Sequence, residues 1–202
     1  MSSRTEEGGP SLIEAVQAAV VALESEGRRL VSKAQIRLGD LEVWCDRADL
    51  RALLQTLKTG LNTGPDHSFN LFVSVTVIDW VDEAQERFEV VYHLLSLAAT
   101  VRIRVRTWVP EEDAVVDSVA DLWPGADFME REAWDMFGVE FRGHPNLRRI
   151  LMYDEFQGYP LRKDYPVQGK QPRIPLRAPE VRNTAADMKR AELVAINPRR
   201  RQ

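Results

Sequence analysis

Residues Thr100–Val109 read TVRIRVRTWV. Val101, Ile103 and Val105 alternate with Arg102, Arg104 and Arg106. That period of two sends one residue type to each face of a β-strand. One face of this strand is therefore expected in a core, and the other carries an arginine comb that is solvated, ion-paired, or docked on an acidic neighbour. Just upstream, RFEVVYHLLSL (Arg87–Leu97) is apolar in both phases, as a central strand is. In FNLFVSVTVIDW (Phe69–Trp80), Phe69, Leu71, Val73, Val75 and Val77 alternate with mostly small or polar residues. Short links join the three segments, so an antiparallel meander is expected.

Working back toward the N-terminus, Ser11-Leu-Ile-Glu14 has the form of a capping box. Leu12, Val16, Ala19, Val20 and Leu23 then recur at helical spacing until Gly27. LVSKAQIR and LEVWC, joined through Gly39-Asp40, read as a hairpin. Asp46 is placed to cap a second helix with Leu50, Leu53, Leu54 and Leu57 on one face, ending at Gly60 after which GLNTGPD is turn-rich. The expected fold class is α+β. Two helices pack on one face of a mixed, mainly antiparallel sheet, followed by short helices and an extended C-terminal arm.

Past Pro110 the pattern changes. One helix is expected at about residues 116–122, broken by Trp123-Pro-Gly, and another at about 127–137. Pro145, Pro160, Pro166, Pro172, Pro175 and Pro179 then rule out a long helix or central strand. Leu147, Ile150, Leu151, Tyr153, Phe156, Tyr159, Leu161 and Tyr165 keep the segment apolar, which suits an arm laid across another protein. The expected organisation is a flexible N-terminus (1–10), an α+β domain (11–110), an interaction segment (111–166) and a basic tail (167–202).

The totals narrow the function. Of 202 residues, 44% are hydrophobic and 29% charged, a globular composition. Residues 167–202 hold 9 basic and 3 acidic residues, net +6, while residues 1–166 hold 18 and 28, net −10, which together give the overall −4. An acidic body with a basic tail suggests an acidic partner for the tail. No apolar run approaches the ~18 residues of a membrane helix, and the polar start does not resemble a signal peptide. The lone Cys45 allows neither an internal disulfide nor a four-cysteine cluster, and reads as a buried bystander. His67, His93 and His144 lack a metal-ligand spacing, so no metal site is expected on the chain itself.

The stretch EREAWDMFGVEFRGHPNLRRIL (Glu130–Leu151) carries the densest chemistry. As an acid–base site it is weak: on a helix Glu130 and Glu132 lie about 200° apart. Arg131 and Asp135, four apart, would simply pair. As a nucleic-acid surface it lacks a broad basic field. As an assembly surface it fits better. Trp134, Phe137, Phe141 and several arginines are the residue types that dominate interfaces. Asp135 near a helix C-terminus runs against the macrodipole, so a compensating cation is expected in the fold or a partner.

Glu130-Arg131-Glu132, Asp135, His144, Arg148 and Ile150-Leu151 strongly resemble the signature of the 30-kDa (C) subunit family of proton-translocating NADH–quinone oxidoreductase, respiratory complex I. DLWPGADFMERE (Asp121–Glu132) and GYPLRKDYP (Gly158–Pro166) extend the resemblance. It implies a subunit of the hydrophilic arm without flavin, iron–sulfur cluster or catalytic residue of its own. FMN and Fe–S clusters would belong to other subunits. Its implied neighbours are the quinone-pocket subunit and those carrying the terminal clusters, on the cytoplasmic side of a bacterial inner membrane, with no nucleic acid bound. The expected interface set is Glu130, Arg131, Glu132, Trp134, Asp135, His144, Arg148, Arg149, Arg162, Lys163, Asp164 and Tyr165. An equivalent scaffold role in a membrane-bound hydrogenase or other donor:quinone complex is the alternative.

Overall fold

A computed structural model describes residues 12–25, 27–61, 68–81, 86–168 and 171–172. Ser11, His67, most of the GLNTGPD turn and the basic tail from residue 173 onward lie outside the described residues. Helix α1 (Leu12–Val21) is followed by two short paired strands, β1 (Glu24–Ser25) and β2 (Arg28–Arg29). The expected hairpin is β3 (Lys33–Arg37) and β4 (Asp40–Trp44), and α2 spans Leu50–Thr59. The meander is β5 (Leu71–Asp79), β6 (Phe88–Ser96) and β7 (Val101–Val109). These form a five-stranded sheet in the order β3-β4-β7-β6-β5, antiparallel except for the parallel β4–β7 pair.

Alternation along β7 sets the two faces. Val101, Ile103 and Val105 join Leu41, Val43, Val90, Tyr92 and Leu94 in one core with Val16 and Val20 of α1 and the four leucines of α2. The comb lies on the opposite face, where two of its arginines are ion-paired. Arg104 meets Asp40 and Glu42 at 2.6 and 2.9 Å, and Arg106 meets Glu42 and Glu89 at 3.3 and 3.0 Å. Cys45 is buried as expected, and burial pushes its thiol up to about 12, too high for a reactive thiolate at neutral pH.

Three local readings differ from the sequence expectation. A β-bulge between Phe72 and Ser74 breaks the phase of β5. Val75 and Val77 face the core, but Leu71 and Val73 are exposed, while Phe72 packs inward against Tyr92 and Trp123. Residues 116–122 are not a helix. Val115–Asp117 form β8, which pairs in parallel with β9 (Glu140–Arg142), because the Gly138 turn returns the chain to a β-branched run. Asp49, not Asp46, occupies the N-cap of α2, and neither carboxylate caps it, since Arg28 holds both.

The third helix, α3 (Ala126–Phe137), lies along β5, and its Ala126 and Ala133 belong to the same core cluster as Val119, Trp123 and Phe141. Among the described residues after Arg142 there is no helix or strand. Hydrogen bonds and ion pairs tie much of that extended segment to the domain it leaves.

Candidate functional site

Two buried acids organise the signature. Glu130, fully buried on α3, accepts hydrogen bonds from the Ser118 hydroxyl at 2.6 Å and the Val119 N–H at 2.8 Å. It thereby pins the β8–α3 connection to the helix. Burial pushes its carboxyl from an ordinary 4.5 up to about 7, against the opposing pull of those two donors.

That shift gives stability a pH dependence of defined sign. Below pH 4.5 the carboxyl is protonated in folded and unfolded chains alike, so its burial costs little. Between 4.5 and 7 the unfolded chain sheds the proton first, so stability falls, and above 7 the loss is complete. The span corresponds to about 3 kcal/mol. Burial and Arg104 lower the His93 pKa, which tilts part of the same window the other way. Urea midpoints for wild type and Glu130→Gln, measured across pH 4.5–7, separate the two. The expected result is that the variant loses the downward slope; parallel profiles would contradict it.

Asp135, also fully buried, gathers the next segment. Its Oδ2 accepts the N–H groups of Ile150, Leu151 and Met152 at 3.1, 2.8 and 2.9 Å, and Arg149 Nη1 donates to Oδ1 at 2.6 Å. Burial alone would raise this carboxyl, but the three amides and the guanidinium outweigh it and hold it below the usual aspartate range. The compensating cation is thus in the fold itself. Arg149 lies 5.7–5.8 Å from the ring centres of Trp134, Phe156 and Tyr159, so aromatic faces surround it.

Arg131 does not pair with Asp135 as its i,i+4 spacing suggested. It donates to the carbonyls of Arg148 and Arg149 at 3.1 and 3.3 Å, because Asp135 is already saturated. His144 accepts the Asn146 N–H on Nδ1, and its Nε2 faces the Asp127 carbonyl at 3.2 Å, which fixes the Gly143-His-Pro corner to α3. Among the expected set, Glu132, Arg148, Lys163 and Asp164 are exposed and Trp134 is half-buried.

A second clasp holds the later motif. Asp79 receives the Arg87 guanidinium bidentately at 3.0 Å and the Lys163 N–H at 2.8 Å. Arg87 also reaches Asp164 at 2.8 Å. Arg162 donates to the Phe137 carbonyl at 2.6 Å and stacks on Phe88 and Tyr159. Tyr165 stacks on Phe156 with ring centres 6.0 Å apart. The sequence reading did not single out Ser118, Asp79 or Arg87. Asp79 had a usable signal, an acid in the inward phase of an apolar strand.

Chemically, these groups are donors and acceptors consumed by one another. Among the described residues no three His, Cys, Asp or Glu side chains are grouped to hold a metal. The outward side is different: Phe128, Leu151 and Tyr153 are 60, 57 and 37% exposed, and the exposed Arg148 makes no ion pair among the described residues.

The family model described as "Respiratory-chain NADH dehydrogenase, 30 Kd subunit" matches residues 43–171. The C subunit of NADH-quinone oxidoreductase from Hyphomonas neptunium is 45% identical over 151 residues, covering 74% of this chain and 72% of that one. The same-named protein of Geobacter metallireducens is 39% identical, covering 75% and 90%. Among solved structures, a trypsin-resistant fragment of Nqo5 is 35% identical with a TM-score of 0.51, covering 57% of this chain and 89% of the fragment. A chain of the membrane-bound sulfane sulfur reductase, an archaeal respiratory membrane complex, is 27% identical with a TM-score of 0.58, covering 67% and 78%.

Proposed function

This chain belongs to the family of the 30-kDa subunit of respiratory-chain NADH dehydrogenase, and from that membership we propose that it is a non-catalytic brace. It is a subunit of the hydrophilic arm of NADH:quinone oxidoreductase. In this reading the electron carriers, FMN and Fe–S clusters, belong to partner subunits, and this chain fixes their geometry. The observation that carries the reading is the division of the signature. Glu130 is spent on the chain's own β8–α3 connection, and Asp135 with Arg149 on its extended segment, while Phe128, Arg148 and Leu151 remain outside.

The proposed partner face is formed by Glu132, Trp134, Arg148, Lys163 and the exposed apolar residues beside them. Its neighbours would be the quinone-pocket subunit and those holding the terminal clusters. No described helix is long and apolar enough to cross a membrane, so attachment to the cytoplasmic side of a bacterial inner membrane would run through the complex. The structural likeness to a sulfane sulfur reductase chain supports a second reading, the same brace in a complex with another electron donor.

Arg148→Glu tests the face. The isolated variant should keep its stability within ~0.5 kcal/mol, as exposed substitutions do. Co-purification of other complex subunits on a tag carried by this chain should fall about tenfold, since an interfacial charge reversal is worth at least about 1.4 kcal/mol. Undiminished recovery would remove Arg148 from the interface. Recovery of a quinone reductase driven by a donor other than NADH would favour the second reading.

A further inference from the structure

The outer face of the sheet changes character at one end. Ion pairs among Asp40, Glu42, Glu89, Arg104 and Arg106 occupy its middle. Beyond them Leu71, Val73, Leu97 and Leu38 are 41, 46, 58 and 93% exposed. They share one end of the sheet: Leu71 on the β5 edge is opposite Leu95, Leu95 is opposite Arg102, and the β6–β7 turn with Leu97 and the β3–β4 turn with Leu38, toward the other edge, both close there. A hollow of about 450 Å³ opens there, lined in part by Leu71, Val73, His93, Leu95 and Arg102.

Leu38 is the sharpest feature. It has φ 53° and is followed by Gly39 at φ 84°. Both values are left-handed, as in the two-residue hairpin turns that favour Asn, Asp or Gly. A leucine in that conformation is strained by its own Cβ. At 93% exposure it gains almost no burial within the chain in return. Strain without internal compensation points outward.

We propose that this end of the sheet is a docking surface for a partner subunit, whose protein face offers an apolar socket for Leu38 and carboxylates for Arg102 and Arg37. An apolar side chain of the same partner fills the hollow. The proposal rests on the reading of the chain as one subunit of a larger complex. Arg102 and Arg37 are exposed, without an ion pair among the described residues, so the complementary face is acidic. A second copy of this chain in a two-fold contact would set these arginines against each other. An anionic lipid surface calls for a cluster of about 4–8 cations; here there are two, with Asp40 beside them.

The test uses tagged full-length chain in cells that assemble the complex, carrying Leu38→Asn or Arg102→Glu. Each should lower co-purification of partner subunits about tenfold, the loss expected for exposing one buried leucine or opposing one charge pair. The isolated Leu38→Asn chain should melt no lower than wild type, since asparagine suits this turn. Undiminished recovery with both variants, while wild type brings down its partners, overturns the surface. A wild-type chain that brings down no partner instead overturns the subunit reading beneath it. Two further results would also overturn the proposal, by naming a different occupant: Leu38-dependent binding to phosphatidylglycerol vesicles, or Leu38-dependent self-association, each with recovery intact.

Discussion

Asp135→Ala is expected to lower the unfolding free energy by about 4 kcal/mol, because it removes one member of a buried, hydrogen-bonded ion pair. The Arg149 side chain, only 14% exposed, would keep its charge without its carboxylate partner. The N–H groups of Ile150, Leu151 and Met152 would lose their shared acceptor as well. The effect should be local first. Trypsin ought to cut after Arg148 or Arg149 far faster than in wild type, since the segment is tied down chiefly at this carboxylate. Asp135→Asn, which keeps the shape and one acceptor oxygen, should cost less than the alanine change. The check is the urea midpoint of the isolated chain together with the tryptic pattern. A loss under about 1 kcal/mol, with the segment still protected, would mean that the clasp is dispensable.

Gly138→Ala should be nearly as damaging, at about 3 kcal/mol, by a different mechanism. Gly138 ends α3 at φ 78°, donating its N–H to the Trp134 carbonyl at 2.8 Å. An L-residue there loses about 1–2 kcal/mol to its own backbone. The new Cβ would also lie 2.5 and 2.6 Å from Tyr159 ring atoms and 2.7 Å from Arg162 Nη2. Both residues belong to the extended segment, so the methyl group would push the segment off the helix end. Trypsin should then attack at Arg162 and Lys163 while far-UV circular dichroism stays unchanged. Gly143 also has a positive φ, 82°, but nothing stands within 4 Å of its Cβ position. Gly143→Ala should therefore carry the backbone cost alone and leave the segment protected.

What the sequence disclosed follows from which interactions are local. The hairpin, the meander and α3 rest on periodicity and on Gly138, all readable within a dozen residues. Bulges and short parallel strands are not local. The phase break at Val73 is set by how β5 registers on β6, and β8 exists only because β9, some 25 residues later, comes beside it. The same distinction governs the signature. Its residue types announced an unusual segment, and the acid at position 135 announced a missing cation. Which arginine answered it could not be read from i,i+4 spacing, because Arg149 and three amides arrive from a loop with no periodic pattern. Family resemblance did what local physics could not, by marking distant motifs as parts of one unit. In the later motif the Arg162 and Asp164 side chains and the Lys163 backbone amide proved to be fasteners, to the Phe137 carbonyl, Arg87 and Asp79. Its outward remainder, the Lys163 side chain included, belongs to the proposed partner face.

Glu130 and Asp135 are the two signature groups with the most chemical potential, one near neutral pKa and one strongly ionised. If the chain only braces its neighbours, neither carboxylate takes part in turnover. The decisive measurement is NADH:quinone turnover per mole of this chain in complex purified from cells carrying Glu130→Gln or Asp135→Asn. The expected result is a smaller yield of complex whose turnover per assembled mole stays within about twofold of wild type. Complex that assembles in full amount but turns over tenfold or more slowly would contradict the brace and place a reacting group on this chain.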